Sequence, residues 1–223
     1  QSPGAAILGD EDALDSLEGY VEGVVARFRS DPRVLVWDLF NEADNPNITS
    51  YGGEDLALGV KSAQALSLME RAFGWARAMG PTQPLTAGVY LTPWAVDSNL
   101  SDLNRFMLSE SDVNSFHSYS DAGAVALRVA ELREHGRPLL CTEYMARPQG
   151  STFQAILPIF EANGIGAYSW GLVSGRTQTI YPWSSWITPS VEEPDPWFHG
   201  LLREDGSPFD PSETDFLSGL LGR

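Results

Sequence analysis

The sequence is poor in residues that form disulfides and metal sites. Cys141 is the only cysteine among 223 residues, so an intramolecular disulfide is impossible. The three histidines, His117, His135 and His199, match no zinc-binding spacing. No stretch approaches the ~20 consecutive apolar residues of a membrane-spanning helix. We therefore expect a protein with no metal, no cofactor and no membrane span.

Positive charge is also scarce. The chain has 14 lysine and arginine residues against 30 aspartate and glutamate residues, a formal net charge of −16. Nucleic acids and anionic membrane surfaces are poor partners for such a chain, whereas a neutral substrate would feel this field only weakly. The content of 43% apolar and 11% aromatic residues is typical of a globular protein. We expect residues 1–223 to form a single domain. Secreted and cytoplasmic locations both fit this composition.

Helices and strands are predicted to alternate along the chain. Apolar residues recur at three- and four-residue spacing over residues 12–29, which indicates an amphipathic helix. Short apolar runs bounded by proline, glycine or polar residues indicate strands, the first of them buried. We predict strands at 34–40, 84–91, 113–119, 138–145 and 165–173, and helices at 12–29, 54–79, 101–108, 121–136, 151–164 and near 210–221. Ser101 is the expected cap of the 101–108 helix.

This alternation favours a parallel sheet, which is either open and doubly wound or closed into a barrel. A doubly wound nucleotide-binding fold normally has a glycine-rich turn after its first strand, and the sequence has no such motif. Polar and aromatic residues instead cluster at the C-terminal ends of the predicted strands: Asn41 and Glu42, Thr92 and Trp94, His117 and Tyr119, Glu143, and Trp170. A (β/α)8 barrel carries its chemistry at this end of its strands. We therefore predict an α/β fold of the TIM-barrel type.

Two of these strand-end residues are glutamates. Glu42 closes VLVWDLFNE, residues 34–42, and Glu143 lies in PLLCTEY, residues 138–144. Cleavage of a β-glycosidic bond with retention needs two carboxyl groups about 5–5.5 Å apart. One attacks the anomeric carbon, and the other protonates the leaving oxygen and later activates water. Because parallel strands all open onto one face, two glutamates on different strands can converge in this way.

Neighbouring residues indicate which glutamate has which role. The nucleophile must be ionised, while the acid must hold a proton near neutral pH. Tyr119 and His117 end the strand before that of Glu143, so a hydroxyl or an imidazole could hydrogen-bond its carboxylate. This makes Glu143 the expected nucleophile and Glu42 the expected acid/base. His117 could instead be a satisfied core histidine.

Asn41, Trp94 and Trp170 are the remaining candidates for substrate binding. The Asn41 amide could donate a hydrogen bond to a sugar hydroxyl, and Trp170 offers a flat apolar face to a sugar ring. Aromatic residues nevertheless fill cores more often than they stack on ligands. For the tryptophans at positions 183, 186 and 197, binding and packing are equally credible. Cys141 is expected to be a core residue.

Taken in order, the motifs WDLFNE, FHSY, TEY and YSWG resemble those of retaining glycoside hydrolases of clan A, most closely glycoside hydrolase family 5. The stretch at 170–186 also resembles bacterial, cellulase-like members of this group. The resemblance implies that Asn41 and Glu42 end the fourth strand of a (β/α)8 barrel. It places His117 and Tyr119 at the end of the sixth strand, Glu143 at the seventh and Trp170 after the eighth. The implied activity is hydrolysis of a β-linked glucan or related plant polysaccharide or oligosaccharide by double displacement, without a cofactor.

The family pattern also implies three earlier strands, with an arginine and a histidine near the nucleophile, that are not among these 223 residues. Strands four to eight alone cannot close an eight-stranded barrel, and open sheet edges favour pairing with another chain. Two expectations follow. The chain is a retaining β-glycosidase, or it is an incomplete barrel that binds carbohydrate without turnover or assembles. In the second case the partner is another copy of the chain or an N-terminal fragment that completes the barrel.

Overall fold

The structure is a computed structural model that describes residues 4–46 and 58–222. In these ranges the α-helices are α1 (Ala5–Leu8), α2 (Glu11–Phe28), α3 (Leu58–Ala78), α4 (Asp102–Glu110), α5 (Ala122–Arg133), α6 (Phe153–Asn163) and α7 (Pro211–Leu221). The strands are β1 (Trp37–Asp38), β2 (Leu85–Thr86), β3 (Asn114–His117), β4 (Leu139–Tyr144) and β5 (Gly166–Ser169). Short 3-10 helices cover Arg147–Gln149 and Trp183–Trp186. The predicted alternation is confirmed, apart from residues 54–57, which lie outside the described ranges.

Local side-chain chemistry sets the helix ends. Asp10 caps α2 by accepting a 3.2 Å hydrogen bond from the backbone N–H of Ala13. Ser101 caps α4 as predicted, with its Oγ accepting from the N–H of Asn104 at 3.0 Å. Gly164 ends α6 in the left-handed conformation at φ +64°, which glycine adopts without steric cost. These caps satisfy terminal backbone groups that have no partner within the helix.

The strands pair in parallel. β1 pairs with β2, with Trp37 opposite Leu85, and β4 pairs with β5. β3 runs beside β4, since the N–H of Asn114 donates to Pro138 and that of Ser118 donates to Glu143. The structure is therefore α/β with parallel sheets, which is consistent with an incomplete barrel.

The first predicted strand is shorter and more exposed than expected. Only Trp37 and Asp38 form the ladder, and Leu35 is 63% exposed. In the described ranges β1 has a single neighbour, β2, so one edge of the strand is uncovered. The apolar run predicted a buried strand, and that prediction is wrong here, because the strand is only two residues long and residues 34–39 are exposed or half-buried.

The chain divides into two compact units. Among the described residues, the first unit holds 4–46, 58–116 and 131–139, and the second holds 117–130 and 140–222. The prediction of a single domain over residues 1–223 stays a prediction. No helix in the described parts of the chain has the length and apolar character needed to cross a membrane.

Each unit has its own core. In the first, Leu14 and Val25 of α2 are buried, and Phe73 of α3 meets Phe106 of α4 edge to face at 5.6 Å. In the second, Tyr144 of β4 packs edge-on between Phe153 and Phe160 of α6, at 6.0 and 5.7 Å. Burial of such aromatic side chains is the main stabilising contribution at these positions.

Candidate active site

Glu143 lies one residue before the end of β4, in the second unit. The hydroxyl of Tyr119 donates a hydrogen bond of 2.6 Å to Glu143 Oε2. Nδ1 of His117, the last residue of β3, is 3.4 Å from the same oxygen. The Glu143 side chain is only 12% exposed. A hydroxyl that donates to a carboxylate oxygen orients the group and stabilises its negative charge.

The Tyr119 ring is held by other aromatic side chains of the second unit. Tyr119 packs against Trp183 at 5.0 Å and against His199 at 5.4 Å between ring centroids. Nδ1 of His199 contacts the backbone oxygen of Met145. Burial lowers the pKa of His199 to about 4. This imidazole is therefore neutral near pH 7 and supports Tyr119 by packing, not by charge.

The Arg147 side chain holds the segment that carries His199 and also forms a buried ion pair with Glu213 of α7. Arg147 donates from Nε to Glu213 Oε1 at 2.8 Å and from Nη2 to Oε2 at 2.5 Å. Its remaining N–H groups donate to the backbone oxygens of Trp197, His199 and Gly200 at 3.1, 3.2 and 2.7 Å. The Arg147 guanidinium therefore links α7 to residues 197–200, the backbone segment that carries His199 against the Tyr119 ring.

Trp170 follows β5 directly. Its backbone N–H donates to Tyr144 at 2.9 Å, while its side chain is 43% exposed. The next residue, Gly171, has φ +82°, and a Cβ there would lie 2.8 Å from Thr179 Oγ1 and 2.9 Å from the nitrogen of Gly200. Only glycine fits this position, so the chain turns tightly just after a tryptophan that faces solvent.

Glu42 belongs to the first unit and lies in the turn after β1. It is 7% exposed and has φ +49°, a conformation that non-glycine residues rarely adopt. The side-chain amide of Asn45 donates to Glu42 Oε2 at 2.6 Å, and the backbone N–H of Asn45 donates to the backbone oxygen of Glu42 at 3.0 Å. Backbone strain of this kind is often found at functional sites.

Asp44 anchors the same turn. Its carboxylate accepts from the backbone N–H groups of Tyr90, at 3.1 Å, and Leu91, at 2.8 Å. Burial raises the pKa of Asp44 to about 6; the hydrogen bonds from Leu91 and Tyr90 oppose this rise, and the charge of Glu42 adds to it. Lys61 contacts the backbone oxygen of Asn45, so the turn is held from two sides.

The structure separates the remaining predicted substrate-binding residues. Asn41 is exposed in the turn beside Glu42. Trp94, by contrast, is 1% exposed, donates from Nε1 to the Leu91 oxygen at 2.6 Å and packs against Phe116 at 6.0 Å. The strand-end position of Trp94 predicted sugar contact, but its ring is enclosed by the first unit. We therefore leave Trp94 out of the proposed binding set.

Sequence reasoning found the Tyr119–Glu143 contact but missed Asn45 and His199. Asn45 carries a weak signal, since an asparagine three residues after Glu42 suits a turn in which its side chain folds back. His199 has no local signal, because its partners are distant in sequence. The core role predicted for Cys141 is confirmed, because the thiol is fully buried and burial raises its pKa.

Solved structures of glycoside hydrolases share this fold. A glycosylated endo-β-1,4-xylanase of glycoside hydrolase family 10 from Gloeophyllum trabeum aligns with 95% of this chain and 68% of its own, at 18% identity and a TM-score of 0.59. A GH5_18 enzyme from Streptomyces cattleya, in complex with Manβ1-4GlcNAc, aligns with 95% of this chain and 54% of its own, at 16% identity and a TM-score of 0.59. A β-glucuronidase from Bacteroides uniformis aligns with 89% of this chain and 25% of its own, at 17% identity and a TM-score of 0.63.

These matches establish the fold and its partial extent, since this chain spans from a quarter to about two thirds of those three proteins. No protein-family model matches the sequence, and no curated protein matches it.

Proposed function

We propose that this chain carries the later strands of a retaining β-glycosidase that hydrolyses a β-linked glucan or related plant polysaccharide or oligosaccharide. The observation that carries the proposal is the 2.6 Å hydrogen bond from Tyr119 to Glu143 Oε2 at the end of β4. Such a hydrogen bond orients the carboxylate and stabilises the negative charge that a nucleophile needs. The family 5 assignment is part of the proposal and rests on the four ordered motifs.

In the proposed mechanism, Glu143 attacks the anomeric carbon while Glu42 gives its proton to the leaving glycosidic oxygen. The carbon–oxygen bond of the substrate breaks as the glycosyl ester on Glu143 forms. Glu42, now ionised, removes a proton from water, and the resulting hydroxide displaces Glu143 from the sugar. Two inversions at the same carbon give net retention.

Substrate contacts are proposed for three further groups. Trp170 offers an exposed face to a sugar ring, and Asn41 offers an exposed amide beside Glu42. We propose that His117, whose Nδ1 is 3.4 Å from Glu143 Oε2, contacts the hydroxyls of the sugar bound there. No residue of this scheme requires a metal or a cofactor.

The test uses Glu143→Gln with a panel of aryl β-glucosides, cellobiosides and mannosides. Turnover should fall by at least about a thousandfold, because the covalent step loses its nucleophile. Glu161→Gln, an exposed glutamate of α6, is the matched control and should keep full activity. A fluoroglycoside that stalls the second step should add one glycosyl mass to the wild type and none to Glu143→Gln. Unchanged hydrolysis by Glu143→Gln would refute the assignment.

A second candidate function is carbohydrate binding without turnover, either as an assembly of copies or with an N-terminal fragment that completes the barrel. The exposure of Trp170, at 43%, and Trp186, at 51%, favours it, since sugar-binding surfaces present aromatic faces. Binding of cello- or manno-oligosaccharides by calorimetry, with no hydrolysis of the whole panel, would support it. The mass in solution separates an assembly of copies from a complex with an N-terminal fragment. A monomer that both binds and hydrolyses the sugars would exclude this second function.

A further inference from the structure

The second unit contains a cavity of about 370 Å³ that the proposed mechanism does not use. Its walls come from the turn at 174–181, from Glu193 and Trp197, and from residues 203–204. Neither Glu143 nor Trp170 is among the lining residues. Sites for small ligands typically have volumes of about 300–1,000 Å³. The cavity is therefore large enough for a ligand of its own.

One wall of the cavity is held by a network of contacts. The indole Nε1–H of Trp197 donates to Glu193 Oε1 at 2.7 Å, and Nη1 of Arg203 donates to the same oxygen at 3.2 Å. The Arg203 guanidinium lies 5.1 Å from the centre of the Trp197 ring, and Trp197 stacks on Phe209 at 4.5 Å. Trp197 itself is buried, so this wall is anchored in the interior of the unit. The carboxylate and the guanidinium are thus oriented before any ligand arrives.

These oriented groups have unused hydrogen-bonding capacity. Both donors meet Oε1 of Glu193, and no residue within the described ranges donates to Oε2. The hydrogen bonds from Trp197 and Arg203 lower the pKa of Glu193, so the carboxylate is ionised near pH 7 and accepts strongly. Arg203 has five side-chain N–H donors and gives only one of them to an acceptor in the described part of the chain. The wall therefore offers a free acceptor beside free donors, on side chains that are about half exposed.

The turn at 174–181 adds further polar groups. The side chains of Ser174, Gln178 and Tyr181 line the cavity and form no hydrogen bond to any residue that the structure describes. Gln178 has φ +55°, a left-handed conformation that non-glycine residues rarely adopt. Backbone strain of this kind is concentrated at functional sites, ligand-binding ones included. One amide and two hydroxyls thus bring both donors and acceptors to the cavity.

The charges around the cavity determine which class of ligand fits. Glu193 and Glu204 together outweigh Arg203 by one negative charge, so an anionic ligand is repelled. A cationic ligand would have to lie beside the Arg203 guanidinium. A neutral ring with many hydroxyl groups meets neither obstacle, because it donates to the carboxylates and accepts from the guanidinium and the amide. We propose that this cavity binds one neutral sugar unit in its pyranose form, at a site that does not use Glu143. Such a site would hold a long glycan on the second unit whether or not a bond is cleaved.

NMR of the full, isotope-labelled chain tests the site without any need for activity. The backbone amides of Gly175 and Gln178 and the indole of Trp197 report the cavity, while the indole of Trp170 reports the proposed cleavage site. The neutral probes are methyl β-glucoside, β-mannoside and β-xyloside, and methyl β-glucuronide has a carboxylate in place of the hydroxymethyl group of the glucoside. At least one neutral probe should shift the cavity signals with a Kd on the order of 1 mM, and the glucuronide should bind at least about fivefold more weakly. The proposal is overturned if no neutral probe shifts these signals, or if the glucuronide binds as tightly or more tightly.

Two matched pairs of variants separate the cavity from its surroundings. Gln178→Ala removes an amide that lines the cavity and should raise the Kd of the neutral probe about three- to tenfold, the effect of one or two hydrogen bonds. Arg176→Ala changes an exposed side chain of the same turn that does not line the cavity, and should leave the Kd unchanged. Glu204→Gln should reduce the discrimination against the glucuronide, whereas Glu192→Gln, exposed and outside the cavity, should preserve it. Equal effects within either pair would refute the site.

This inference and the proposed function can fail separately. Shifts confined to the Trp170 indole would support sugar binding at the proposed cleavage site and refute the cavity as a second site. A chain that hydrolyses no glycoside but shows the cavity shifts and the expected variant effects would refute the glycosidase function and support the cavity.

Discussion

Replacing Glu213 by alanine should be among the most destabilising changes available in the second unit. The Arg147 and Glu213 side chains are only 7% and 4% exposed, so the ion pair lies away from solvent. Arginine has five N–H donors, and all of them are used: two bind Glu213 and three bind backbone oxygens. Removing Glu213 leaves two donors and a full positive charge without partners in a buried place. Such a change costs about 3–5 kcal/mol of unfolding free energy.

Urea unfolding followed by tryptophan fluorescence measures this cost. Glu213→Gln is the matched control, because it keeps the size and one acceptor oxygen and loses the charge; it should cost less, about 1.5–3 kcal/mol. Glu213→Ala should also lower Tm on the order of 10 °C for a chain of this length. A loss below about 1 kcal/mol for Glu213→Ala would show that the charge of Arg147 is compensated without Glu213. Equal losses for both variants would show that the acceptor oxygen kept by glutamine contributes nothing and that the charge alone matters.

Three further outcomes are expected. Tyr119→Phe removes the hydroxyl that holds the proposed nucleophile and should lower kcat/KM about 10- to 100-fold, with Tm nearly unchanged. The pKa of Asp44 is raised to about 6 and that of His199 is lowered to about 4. Acidification from pH 6 to pH 4 should therefore increase hydrogen-exchange protection in the first unit, where the native state binds the extra proton, and decrease it in the second, where the unfolded state does. Trp170→Ala should weaken oligosaccharide binding in a calorimeter and barely change stability, whereas Trp94→Ala should cost about 3–5 kcal/mol in a urea titration.

Sequence patterns predicted the order of the elements because each depends on local chemistry. The periodicity at 12–29 matches α2, and Ser101 forms the cap expected of it. The extent of the first strand could not be predicted in this way. Its apolar content is typical of a strand in the middle of a larger sheet, whereas β1 has one neighbouring strand in the described ranges. Burial at Leu35 depends on that environment and not on the strand's own residues.

The candidate site shows the same limit. Tyr119 and Glu143 end adjacent predicted strands, so their contact follows from the parallel architecture. Trp94 has an equivalent strand-end position, but its ring packs inward, because side-chain direction after a strand depends on the loop. His199 reaches Tyr119 only through the folding of the late segment, which no motif encodes.

The isolation of Cys141 makes it a built-in reporter. Its thiol is fully buried in β4, two residues before Glu143, and there is no second cysteine to compete with it. A thiol reagent added in pulses can modify it only when that part of the second unit opens. The labelling rate therefore reports the opening of the strand that carries Glu143, in the unmodified protein. Conversely, a thiol-reactive dye would label only an introduced surface cysteine, and not Cys141, for as long as the second unit stays closed.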